Sequence, residues 1–144
     1  LNNLYKKEKA MYQLDFCPEG FEWIECNDVD QGVFSFIRKG KDQGDILVFV
    51  CNFTPVLYND YRIGVPQDLY YMEILNSDSE IYGGSNAGNL GGVYAEKIPF
   101  HERPYSLKIQ VPPLSTLIFK PIDCEPNQID QKNRSKNNQV KTIN

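Results

Sequence analysis

Histidine occurs once in this chain, tryptophan once, and a C-x-x-C spacing nowhere. With His101 as the one imidazole and the cysteines scattered at 17, 26, 51 and 124, the ligand set of a zinc site does not assemble. The sequence has no apolar run near the ~20 residues of a membrane-spanning helix. It has no basic excess either: 15 Lys and Arg stand against 19 Asp and Glu, a net charge of −4. A mildly acidic chain argues against nucleic acid, whose phosphates are held by clustered Lys and Arg. No apolar segment of a secretion signal is visible. Cys17 and Cys26 are spaced so that they can bridge, but without such a signal free thiols in a cytoplasmic protein are expected. Cys51 lies in an apolar run and reads as a small buried hydrophobe.

What the chain does contain is aromatic side chains, nine Tyr and eight Phe beside the one Trp, with Pro and Gly spread among them. That distribution suits short strands joined by turns. Strand candidates are 33–38 (VFSFIR), 45–53 (DILVFVCNF), 61–65 (YRIGV), 69–75 (LYYMEIL), 93–98 (VYAEKI), 106–111 (SLKIQV) and 116–120 (TLIFK). The second is almost continuously apolar and β-branched, as expected of a central strand buried on both faces. The series predicts a mainly β fold, an antiparallel Greek-key sandwich. Its expected core is Phe34, Phe36, Leu47, Phe49, Cys51, Ile74, Ile109 and Ile118. Between two of the runs, residues 78–92 (DSEIYGGSNAGNLGG) concentrate glycines with Ser85, Asn86 and Asn89, which predicts a long ordered loop.

The two ends differ from this body. Leu1, Leu4, Tyr5, Met11 and Tyr12 share a helical face, and no Ser, Thr or Asp caps the pattern. A helix over 1–15 that continues from a preceding domain is the expectation. Residues 123–144 are rich in Asn, Gln, Lys and Ser, with four basic residues against three acidic ones. So polar a tail buries too little to offset its ordering entropy and is expected to be disordered.

Few residues invite chemistry. Glu19, Glu22 and Glu25 surround Trp23, but their spacing is helical, they sit beside a turn, and no acid and base can be singled out. Trp23 has two readings: a sugar-stacking platform, or a plug in the seam between the helix and the sandwich. His101, Glu102 and Arg103 precede a proline and read as a turn with a solvated charge cluster, because no nucleophile accompanies them. Ser85 is not a nucleophile elbow, since no helix follows, and the glycine loop lacks the Lys-Ser/Thr of a phosphate-binding loop.

These residues assemble into a resemblance. LNNLY at 1–5, DFCPEGFEWIECND at 15–28, SFIRKGKD at 35–42, VCNFTPV at 50–56, YRIGVP at 61–66, EILNSDSEIYGGSNAGN at 73–89 and PPLSTLIFKP at 112–121 run in order through the chain. Together they resemble the C-terminal part of the bacterial 1,4-α-glucan (glycogen) branching enzymes of the α-amylase superfamily. The departures are Gly32–Val33, where the family often has Ser-Val, and the polar tail beyond Pro121. The resemblance implies a parent with a catalytic (β/α)8 barrel that cleaves an α-1,4-glucan and transfers it to a 6-hydroxyl, by a retaining double displacement. The three catalytic acids of that family lie on the barrel, so none maps onto this chain, and no cofactor is implied.

On this reading residues 1–30 are the end of the barrel (its last helix) with a connecting segment. Residues 31–122 are the C-terminal all-β domain, and 123–144 the tail. Partners are then an α-glucan and the catalytic barrel of the same polypeptide, with neither nucleic acid nor membrane. Phe21, Glu22, Trp23, Asn27 and Tyr82 are the candidate positions for glucan contact or for the barrel seam, and Phe21, Trp23 and Ile24 are expected to pack on the barrel. Two other classes stand beside this one. A free-standing carbohydrate-binding module needs exposed aromatics, for which Tyr58, Tyr61, Tyr70, Tyr71 and Tyr82 are candidates. A purely structural β-domain needs no ligand.

Overall fold

A computed structural model describes residues 1–123 of the chain. The disorder expected for 123–144 therefore concerns residues that lie, apart from Asp123, outside the described ones. A short α1 (Asn2–Lys7) and a 3-10 turn (Lys9–Met11) open the chain. Eight strands follow: β1 (Phe21–Glu25), β2 (Val33–Lys39), β3 (Ile46–Asn52), β4 (Tyr58–Val65), β5 (Tyr70–Asn76), β6 (Gly92–Tyr94), β7 (Tyr105–Val111) and β8 (Ser115–Ile122).

The strands form two antiparallel sheets, β1-β2-β3-β8-β5-β6 and β4-β7. The chain leaves the large sheet after β3, returns for β5 and β6, leaves again for β7, and returns once more for β8, inserted between β3 and β5. This interleaving is the mainly β, antiparallel Greek-key architecture expected from the sequence. The main core lies between the layers. Val33, Ile37, Val48, Val50, Tyr71, Leu117 and Phe119 of the large sheet meet Ile63, Val65, Leu107, Ile109 and Val111 of the small one. Each such side chain, fully removed from water, contributes about 1.5–3 kcal/mol.

The core differs from the expected one by a phase. Leu47, Ile109 and Ile118 are buried as expected, but Phe34, Phe36, Phe49, Cys51 and Ile74 are only half-buried. In β2 the inward residues are Val33, Ser35 and Ile37, so Phe34 and Phe36 point to the outer face of the large sheet. A strand whose two faces are both apolar does not declare which one faces the core.

Two further differences bear on function. The helix expected over 1–15 forms only over Asn2–Lys7. The rest of that segment lies on the outer face, where Ala10, Leu4 and Met11 pack with Leu47, Ile118 and Phe49. Ion pairs Glu8–Lys120 (2.7 Å) and Asp15–Arg38 tie it down, and the Tyr5 hydroxyl donates to Asp15 Oδ2 at 3.0 Å. The Tyr5 hydroxyl, and after it Arg38, hold the exposed Asp15 carboxyl below the usual carboxylate range. Residues 21–25, read from sequence as part of an irregular connection, are β1, the edge strand beside β2.

Candidate functional site: the β1 edge and the 100–103 hairpin

Alternation along β1 sends Phe21 and Trp23 to the outer face and Glu22 and Ile24 to the other. Register places Trp23 opposite Phe36 and Phe36 opposite Phe49, so the aromatic rings line up across three strands. Phe36 stacks on Phe49 with centroids 4.8 Å apart and on Phe21 at 5.1 Å, while Trp23 meets Phe21 edge-on at 5.0 Å. Trp23 is nevertheless 50% exposed and Phe21 36%. Ile24 is 8% exposed within the main core and does not join this outer face, contrary to its expected place at a seam.

Glu22 sits on the other side of β1, between Lys39 of β2 and Arg103. The Lys39 hydrogen bond, assisted by Arg103, holds its carboxyl below the usual carboxylate range. Arg103 also donates to the Trp23 carbonyl (3.1 Å) and to the His101 carbonyl (3.1 Å). The sequence reading of 101–103 as a turn holds, but the charge cluster is not simply solvated. The Arg103 side chain is 12% exposed and bridges to a strand 80 residues earlier in the chain.

The turn itself is a two-residue hairpin. Phe100 and Arg103 exchange both backbone hydrogen bonds at 3.0 Å, and His101 and Glu102 have φ of 49° and 59°. Two successive positive φ values are the signature of a type I′ turn, normally given to Asn and Gly. The hairpin lies flat on Gly64 of β4, where any Cβ would collide with the Phe100 carbonyl. Gly64 N–H donates to His101 Nδ1 at 3.1 Å, and His101 Nε2 lies 3.6 Å from Glu25 Oε2. An Nδ1 that accepts is unprotonated, so the ring is neutral with its proton on Nε2. Burial pushes the imidazole below its ordinary value, partly opposed by Glu25.

Two clefts flank His101. One, of about 470 Å³, lies along the β1 edge and is lined by Glu22, Trp23, Glu25, Asn27 and Arg103 with His101. The other, of about 400 Å³, lies beside β4 and is lined by Asp28, Tyr58, Asp60, Arg62 and Phe100 with His101. Tyr61 donates to Asp28 Oδ2 at 2.6 Å, and burial with that bond pushes its phenol upward. Among the described residues no group of three or more His, Cys, Asp or Glu is placed to hold a metal. The chemistry on display is hydrogen bonding and aromatic contact.

Of the sequence candidates, Phe21, Glu22, Trp23 and Asn27 come together here, on the two sides and at the end of one strand. Tyr82 does not. It is 57% exposed on the loop between β5 and β6, at the opposite edge of the large sheet. Of the other aromatic candidates, Tyr71 is fully buried and Tyr61 8% exposed, so neither is a surface platform. His101 and Arg103 were not expected in the site. Their sequence carries no signal for it, because the turn chemistry normally associated with a type I′ hairpin is missing.

The loop over 78–92 is ordered, as its composition predicts. Asp78 accepts from the Ser85 hydroxyl (2.5 Å) and from the Ser85 and Ala87 backbone N–H groups (both 3.3 Å). Gly84 is required where the chain passes against the Asp78 carbonyl. Asn89 then acts as a substitute strand residue: its side-chain amide donates to the Gln110 carbonyl at 3.0 Å and accepts from the Gln110 N–H at 2.8 Å.

Comparison with known proteins is consistent along most of the chain. The family model of the alpha amylase, C-terminal all-beta domain, matches residues 23–122. The 1,4-alpha-glucan branching enzyme GlgB of Gloeobacter violaceus is 52% identical over 120 residues, which are 83% of this chain and 16% of that protein. Those of Thermosynechococcus vestitus and Aquifex aeolicus are 54% and 51% identical over the same length, covering 16% and 19% of those proteins. The chain thus spans less than a fifth of the length of the curated relatives it matches. No helix of the described residues is long and apolar enough to cross a membrane.

Proposed function

Because this chain belongs to the alpha amylase C-terminal all-beta domain family, we propose that it serves as the C-terminal β-domain of a 1,4-α-glucan branching enzyme. The observation that carries the reading is identity of 51–54% over 83% of the chain to proteins of that name. The parent would cleave an α-1,4-glucan and transfer it to a 6-hydroxyl in the cytoplasm, with its catalytic carboxylates on a barrel encoded ahead of Leu1. Residues 1–30 would then be the end of that barrel and the segment that connects it to the sandwich, a segment that includes the edge strand β1. No step of the transfer is assigned to this chain.

The domain's contribution is to brace the barrel. The outer face of the large sheet supports this: the Phe21–Trp23–Phe36–Phe49 stack is apolar, continuous and only partly covered by residues 1–20. Aromatic surface left half in water gains several kcal/mol when a second domain covers it. The test is enzymatic. Amylose incubated with the 144-residue chain should keep its iodine absorbance and gain no branch ends, whereas the full reading frame that encodes the chain should branch it. A reading frame that encodes no barrel with catalytic carboxylates upstream of Leu1 would refute the proposal.

A further inference from the structure

We propose that the 100–103 hairpin is a proton-driven clasp: with His101 neutral it holds both sheets, and with His101 protonated it releases β4 and stays on β1. Each half of that behaviour has its own groups. Toward the small sheet, His101 Nδ1 accepts the Gly64 N–H at 3.1 Å. Toward the large sheet, Arg103 pairs with Glu22 and donates to the Trp23 carbonyl at 3.1 Å, while His101 Nε2 faces Glu25 Oε2 at 3.6 Å. The bond to β4 requires a bare Nδ1, because an imidazolium has two donors and no acceptor. The ties to β1 respond in the opposite sense. Arg103 keeps its charge throughout. Lys39 and Arg103 hold the Glu22 carboxyl below the usual carboxylate range, so that pair survives mild acid. A charged ring is in addition drawn toward Glu25.

The surroundings allow this change without unfolding the domain. The hairpin is closed by its own two bonds between Phe100 and Arg103, and its base by the pair between Glu96 and Ser106 at 2.8 and 3.0 Å. Residues 97–104 can therefore lift as a unit while both pairs persist. A cleft lies on either side of the ring, so water reaches it without a global opening. The charges that face the ring set the balance. Burial opposes the proton, Glu25 at the end of β1 favours it, Arg103 opposes it and Asp28 favours it. The remaining charged groups of the two clefts have partners of their own or belong to the turn. Glu22 is held by Lys39 and Arg103, Asp60 lies 3.4 Å from Lys108, Arg62 lies 3.5 Å from Glu96, and Glu102 is the second residue of the turn. A proton on Nδ1 thus sets two donors against each other at Gly64 and adds an attraction at Glu25. The proton changes the hairpin's partner, and the two arrangements differ in which sheet carries it.

The test is an NMR titration of the isotopically labelled 144-residue chain from pH 8 to about pH 4.5, some 2 units below the free imidazole value. At the alkaline end the ring nitrogens should read as the tautomer protonated on Nε2. As the pH falls, the Gly64 amide proton should move upfield with the same midpoint as the ring. Cross-peaks between the hairpin and Gly64 should weaken about threefold or more, while those between Arg103 and Trp23 persist. Glu25→Gln should lower the midpoint by about half a pH unit, because it removes the nearest anion. In His101→Asn, which does not titrate, the Gly64 resonance should hold its position across the range. The wild-type titration and His101→Asn remain decisive if Glu25→Gln unfolds. A ring protonated on Nδ1 at pH 8, a Gly64 resonance that ignores the ring or still moves in His101→Asn, or a midpoint raised or unmoved by Glu25→Gln would each overturn the clasp. So would loss of both sets of cross-peaks together, which would mean that the hairpin leaves the two sheets at once.

Discussion

His101 concentrates several constraints in one side chain. Its Nδ1 accepts the Gly64 N–H, its Nε2 faces Glu25, and its backbone takes a conformation that L-residues avoid. Protonating Nδ1 would set one N–H against another. The other charges that face the ring are Arg103, which also opposes protonation, and Asp28, which favours it. The folded-state value is lowered, so the unfolded chain binds the proton more readily. Stability is therefore full above the ordinary imidazole value of ~6.5 and declines as pH falls below it toward the native value. Chemical denaturation between pH 8 and 5 (about 1.5 units either side of that value) should show this slope in the wild type. His101→Asn, which tolerates positive φ and does not titrate, should flatten it. Asn89 is a second residue whose role sequence could not disclose. Its composition context announced a loop, but that its amide would pair with Gln110, 21 positions away, depends on the packing of β7. Asn89→Ala leaves the Gln110 N–H and carbonyl without these partners and should cost about 1–3 kcal/mol in urea unfolding.

At the scale of elements, strands 2 to 8 were legible because turn residues separate them and β-branched runs fill them. β1 was not. The glutamates of PEGFEWIE recur at a helical interval, and Pro18 and Gly20 suggest a turn, while the alternation of Phe21 and Trp23 about Glu22 is too short to outweigh either. Pairing with β2 decides it, and that is a tertiary fact. β2 shows the complementary problem. Its period was plain, but its inward face carries Ser35 rather than Phe34 and Phe36, because the outer face is apolar too. Ser35 is fully buried and its Oγ has no hydrogen-bond partner among the described residues. A hydroxyl desolvated without compensation destabilises, so Ser35→Ala should raise the unfolding free energy by about 1 kcal/mol. A loss of stability on that substitution would mean that the hydroxyl is satisfied.

The whole molecule is a sandwich with two unlike surfaces. Between the layers lies a complete core, whereas the outer face of the large sheet carries aromatic rings that residues 1–20 cover only in part. An apolar face of this kind is expected where a second domain docks. The candidate residues Phe21 and Trp23 were visible in the sequence as aromatics beside a domain end. Their common face, and the separation of Tyr82 from them, required the sheet order. If this face is a seam, Trp23 reports on it most directly. Trp23→Ala should be measured by denaturant unfolding of this domain in the 144-residue chain and within the product of the full reading frame proposed above to encode it. With the indole half in water, the isolated chain should lose about 1–2 kcal/mol; with the seam closed over it, the full-length protein should lose about 3–5 kcal/mol. Equal losses in the two contexts would show that nothing covers this face and would contradict the account.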